Sequence, residues 1–115
     1  MNKAKRVRIS QLISELEQAR EALSNPETID LENATVTIVD LHDQIDEVKS
    51  EEEEVRDNYP ENLHNSDIYD TMCAAVDCME YAMDSLDEAT DAIESGEVES
   101  AIDSLGNAIN SLEEI

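Results

Sequence analysis

Residues 66–94 read SDIYDTMCAAVDCMEYAMDSLDEATDAIE. Ile68, Met72, Val76, Met79, Met83, Leu86 and Ile93 recur at steps of three, four or seven, which returns each to the same side of an α-helix. Ala75, Ala82 and Ala89 repeat every seven residues beside them and let a neighbouring helix approach closely. Ser66 or Asp67 can cap the first turn, and Gly96 follows the last periodic residue as a helix end requires. The segment predicts a long helix packed through coiled-coil-like seams.

The same alternation extends in both directions. A first helix runs from about Val7 to Ser24, with Ile9, Leu12, Leu16, Ala19 and Leu23 on one stripe, and Asn25-Pro26 ends it. The second helix begins at once, with Asn25 as cap and Pro26 at the first helical position, or after a loose turn through Asp30. Its stripe is Leu31, Ala34, Ile38, Leu41, Ile45, Val48 and Val55, interrupted only by Glu52. Thr35 to Val39 is rich in β-branched residues and could form a strand, but a lone strand has no partner and the helical pattern runs through it. Asn58-Tyr59-Pro60 stops this helix, because the residue before proline leaves the α region. Beyond Gly96, Val98, Ile102, Leu105, Ile109 and Leu112 make a fourth, short helix. The expected fold is an all-α, antiparallel bundle of four helices, two long and two short, in one domain spanning residues 1–115. A three-helix version keeps Gly96 inside one long helix.

Charge is the main functional clue. The chain has 115 residues and a formal charge of −23, and from Asp57 to the end it holds sixteen aspartates and glutamates but no lysine or arginine. Self-repulsion on this scale works against any compact state. On the third helix Asp70, Asp77, Glu80, Asp84, Asp87, Asp91 and Glu94 fall opposite the core stripe. The second helix carries Asp40, Asp43, Glu47, Glu54 and Asp57, with Ser50 filling the missing step and Lys49 and Arg56 off the row. Neighbours at such spacings lie roughly 5 to 6 Å apart. Two adjacent helices would hold two such rows on the order of 20 Å apart, about the width of a duplex. Nucleic acid offers phosphates every 3.4 Å or so along each strand, so the rows agree in sign and regularity and approximately in density.

The residues argue against other functions. Glu61-Asn62-Leu63-His64 matches the glutamate and histidine spacing of di-iron bundles, but it follows Pro60 in a loop, and His42 has no glutamate three residues before it. No aspartate-rich stretch carries the glycine of a calcium loop, and two glycines and two separated histidines supply neither a phosphate cradle nor a nucleophile with its base. No catalytic, cofactor or metal residue is assigned. Cys73 and Cys78 stand about 140° apart around one helix and read as reduced thiols. Met72, Met79 and Met83 read as core filling, and Tyr59 at the loop tip as the aromatic placed for contact. The basic start, Lys3, Lys5, Arg6 and Arg8, reads as neutralising the molecule's own acids, and no segment resembles a leader or a membrane span. A cytoplasmic location is expected.

The segment Asp57-Asn58-Tyr59-Pro60-Glu61-Asn62-Leu63, followed by Ser66, Tyr69 and the acidic helix, resembles a pattern found in small acidic helical proteins of phages and mobile elements; it spans about residues 45 to 95. In size and charge the chain is also similar to DNA-mimic inhibitors of host defence, of the anti-restriction and anti-CRISPR kind. That likeness is compositional, and the basic first twenty residues depart from it. It implies a partner that is a basic nucleic-acid-binding protein, with no direct contact to nucleic acid or membrane, and it leaves homo-oligomerisation open. The rivals are a structural or adaptor module that pairs helices, its acids serving only solubility, and a weak divalent-cation binder.

Overall fold

A computed structural model describes residues 1–27 and 29–115. Four helices account for most of them: α1 (Lys3–Leu23), α2 (Leu31–Asp57), α3 (Asp67–Glu94) and α4 (Val98–Glu113), with a single 3-10 turn at Glu61–Leu63. Among the described residues there is no strand, and the β-branched stretch Thr35 to Val39 is helical. None of the helices is long and apolar enough to cross a membrane.

Local chemistry sets the boundaries. Asn2, Asp30 and Ser66 each accept a hydrogen bond from the backbone N–H three residues on, at 2.9, 3.0 and 3.2 Å, which satisfies an orphan donor at the starts of α1, α2 and α3. The second helix therefore starts after the turn, not at Pro26. Gly96 has φ of +77°. The Glu97 N–H reaches the Ala92 carbonyl at 2.8 Å and the Gly96 N–H reaches Ile93 at 3.1 Å, the paired bonds of a Schellman ending. That geometry breaks the chain between α3 and α4 and overturns the three-helix alternative.

The main helix contacts run in a closed order: α1 with α2, α2 with α3, α3 with α4, and α4 with α1. The resulting rod measures 55 × 23 × 18 Å. Polar contacts fix the ends. Lys5 and Arg8 at the start of α1 reach Glu52, Glu47 and Glu51 late in α2, and Arg6 donates to the Ile115 carbonyl at 3.1 Å. Ser111 of α4 donates its hydroxyl to the Cys78 carbonyl of α3 at 2.8 Å.

All five stripe residues of α1 are buried, as are Ala34, Ile38, Leu41, Ile45 and Val48 of α2. So are Met72, Val76, Met79, Leu86, Ile93 and the three alanines of α3, and Leu105, Ile109 and Leu112 of α4. Seven of the 23 buried apolar side chains described are alanines, which let the helices approach closely between the larger side chains. Three stripe members are not core. Leu31, Val55 and Ile68 are exposed, all within the first or last turn of their helices.

Glu52 is the reverse case. It does not interrupt the core stripe of α2 but continues it, at 1% exposure. Lys5 Nζ lies 3.4 Å from its Oε1, and the N-terminal ammonium lies 3.2 Å from Oε2, an ionic contact without hydrogen-bond geometry. A buried carboxylate is tolerated only with such cations beside it, so the basic start of α1 is held against α2 at this point.

Candidate functional site

The helical period that buries the apolar stripes turns the acids outward. Asp40, Asp43, Glu47, Glu54 and Asp57 on α2, and Asp70, Asp77, Glu80, Asp84, Asp87, Asp91 and Glu94 on α3, are all exposed. The two rows are not equally free. Arg8 of α1 pairs with Glu47 and lies 3.6 Å from Glu51, Arg56 contacts Asp57 at 3.3 Å, and Gln44 donates to Asp40 at 2.7 Å. Of the basic N-terminal residues, Lys5 and Arg8 thus pair with the protein's own acids, while Arg6 donates to the Ile115 carbonyl instead.

Between the rows lies a feature that the sequence carried but its acidic pattern obscured. His42, Lys49 and Arg56 are seven residues apart, which keeps them on one side of α2 to within about 20° per step. All three are half-buried. His42 lies 3.3 Å from Asp43 and 3.5 Å from Asp87 of α3, while Lys49 sits 2.8 Å from Glu53. The hydrogen bond to Glu53, followed by the charges of Glu53, Glu80 and Asp46, outweighs burial and raises the Lys49 pKa, so this ammonium stays charged. The α3 row, which has no lysine or arginine on its own helix, is therefore relieved at Glu80 by Lys49 of α2.

The other side of α3 carries the unrelieved charge. Among the described residues Asp70, Asp77, Asp84 and Asp91 have no cation within ion-pair distance, and every lysine and arginine lies on α1 or α2. The acidic surface extends toward α4 as well. Glu99, Asp103, Asn107, Asn110 and Glu114 step by four, four, three and four along the outside of α4, all exposed. Their spacing is legible in the sequence, on the side of α4 opposite its apolar stripe.

The loop aromatics are spoken for. His64 stacks on Tyr69 with ring centroids 4.2 Å apart, its Nε2 lies 3.0 Å from the Tyr59 carbonyl, and Tyr59 meets Tyr69 at 6.1 Å. Tyr59 is half-buried in this cluster rather than presented at a tip, and the exposed aromatic is Tyr81. Cys73 and Cys78 are free thiols. No three His, Cys, Asp or Glu side chains converge as metal ligands among the described residues.

Unrelieved repulsion on α3 and α4 has a measurable consequence. Raising ionic strength from about 0.01 M to 0.15 M shortens the screening length from roughly 30 to 8 Å, so the melting temperature should rise over that range. Thermal unfolding followed by circular dichroism checks this; a flat or falling melting temperature would show that internal pairing already balances the acids.

The sequence matches no protein-family profile, no curated protein and no solved structure.

Proposed function

We propose that the chain forms an antiparallel four-helix bundle whose acidic faces occupy a basic, nucleic-acid-binding surface of another protein and keep nucleic acid away from it, without catalysis. The observation that carries this reading is the segregation of charge. An exposed acidic face on α3 and α4 contains no lysine or arginine, while all seven cations of the chain lie on α1 or α2. A face kept acidic only for solubility would more commonly alternate the two signs. The rod's 23 × 18 Å cross-section is close to that of a duplex, and its 55 Å length corresponds to roughly 16 base pairs at 3.4 Å each.

The likeness in size and charge to phage DNA-mimic inhibitors of host defence points the same way, and the host cytoplasm is the matching location. An adaptor reading draws on Val36 and Val39, one turn apart on the outside of α2 and both exposed. A pulldown from host lysate, eluted in parallel with salt and with duplex or single-stranded nucleic acid, separates the two. Release of a nucleic-acid-binding protein by both eluents is the expected outcome. Partners without a basic groove, retained at about 1 M salt with nucleic acid bound at the same time, would favour the adaptor.

A further inference from the structure

Where α3 and α4 meet, small side chains bring the two backbones together, and above them the seam opens into a cleft of about 420 Å³. Cys78 and Ser111 form its floor, joined by the hydrogen bond from the Ser111 hydroxyl to the Cys78 carbonyl. Asp77 and Tyr81 line the α3 wall, and Asn107, Asn110 and Glu114 line the α4 wall. A carboxylate therefore stands on each side. Neither has an internal cation within ion-pair distance among the described residues, and Tyr81, 57% exposed, is the one aromatic ring not stacked within the loop cluster.

The cleft's own chemistry narrows what it can take. Burial, then the Glu114 carboxylate and more weakly Asp77, push the Cys78 thiol up against the opposing Ser111 bond, so it stays protonated at neutral pH and offers a neutral floor rather than a nucleophile. The volume falls in the range of about 300 to 1,000 Å³ typical of organic ligand sites and is far too open for a bare ion. Two carboxylates, two amide carbonyls and an aromatic face together suit a flat, multiply donating cation.

We propose that this cleft receives an arginine side chain of the basic partner; this rests on the functional reading above and deepens it. The guanidinium donates to Asp77 and Glu114, stacks on the Tyr81 ring and has donors left for Asn107 and Asn110. A lysine ammonium is a point charge with three donors and no planar face, so it gains the electrostatic attraction but not the stacking or the forked geometry.

The test uses two synthetic peptides of equal length and charge, alternating glycine with arginine or glycine with lysine. Each is titrated into the ¹⁵N-labelled protein at physiological salt. The arginine peptide should bind about three- to five-fold more tightly, the size of an exposed cation–π contact, and should shift the side-chain amides of Asn107 and Asn110. Tyr81→Ala should erase the preference and Tyr81→Phe should keep it. Equal affinity for both peptides, with shifts spread along α3, or a preference that survives Tyr81→Ala, would overturn the cleft and leave the acidic-surface reading standing. Failure of both peptides to bind even at low salt would overturn the cleft and the acidic-surface reading together.

Discussion

Enlarging Ala82 and Ala89 to leucine should each cost about 1 to 3 kcal/mol of stability, because both side chains are fully buried and a larger one would overpack the helix contact. Their side of α3 is identified by spacing. Cys78, Ala82, Ser85 and Ala89 step by four, three and four, and the Cys78 carbonyl is bonded from Ser111 of α4, so the alanines lie along the α3–α4 contact. Ala101 and Ala108 of α4 are also fully buried, seven residues apart like their counterparts. A leucine there must push the backbones apart, since alanine on both helices is what allows them to meet. The two positions are roughly 10 Å apart along the helix, far enough for the penalties to be nearly additive. Against a total stability of about 5 to 15 kcal/mol, the double variant should lose a large fraction of it, with melting falling by roughly 4 °C per kcal/mol. Unchanged melting in both single variants would place the alanine face in solvent, and an intermolecular contact through it would become the better account of its small residues.

Which side of each helix faces inward was legible in the sequence, because a period near 3.6 is a property of the segment alone. How far each stripe stays covered was not. Val55 and Ile68 continue their stripes faultlessly, yet α2 and α3 have 27 and 28 residues against 21 and 16 for α1 and α4, so the long helices run past their neighbours. Glu52 escaped for the opposite reason. Its place on the stripe could be read directly, but the lysine that makes its burial tolerable lies 47 residues away in the chain. The acidic rows were legible as exposed, because they occupy the side left over by the core. Their compensation by Arg8 and by Lys49 across to Glu80 was not, since it depends on which helices become neighbours.

Reversing Asp77, Asp84 and Asp91 together to lysine should abolish association with the basic target while leaving the helices folded. The three lie seven residues apart on the outside of α3, all exposed and without internal partners, so their own contribution to stability is small. Three reversals change the formal charge by six, from −23 to −17, which relieves self-repulsion rather than adding to it. Binding should respond in the opposite sense. Each site loses an attraction and gains a like-charge contact with the partner, and affinity should fall by about 100-fold or more, since such juxtapositions cost several kcal/mol. Neutral Asp→Asn variants at the same sites should fall less, which separates attraction from repulsion. Lys3→Glu is the matching control and should bind normally. Lys5 cannot serve, because it neutralises buried Glu52 and its reversal would set two carboxylates against each other. Normal binding by the triple lysine variant, with melting unchanged, would move the contact off this face, and the exposed Val36 and Val39 of α2 would become the next surface to alter.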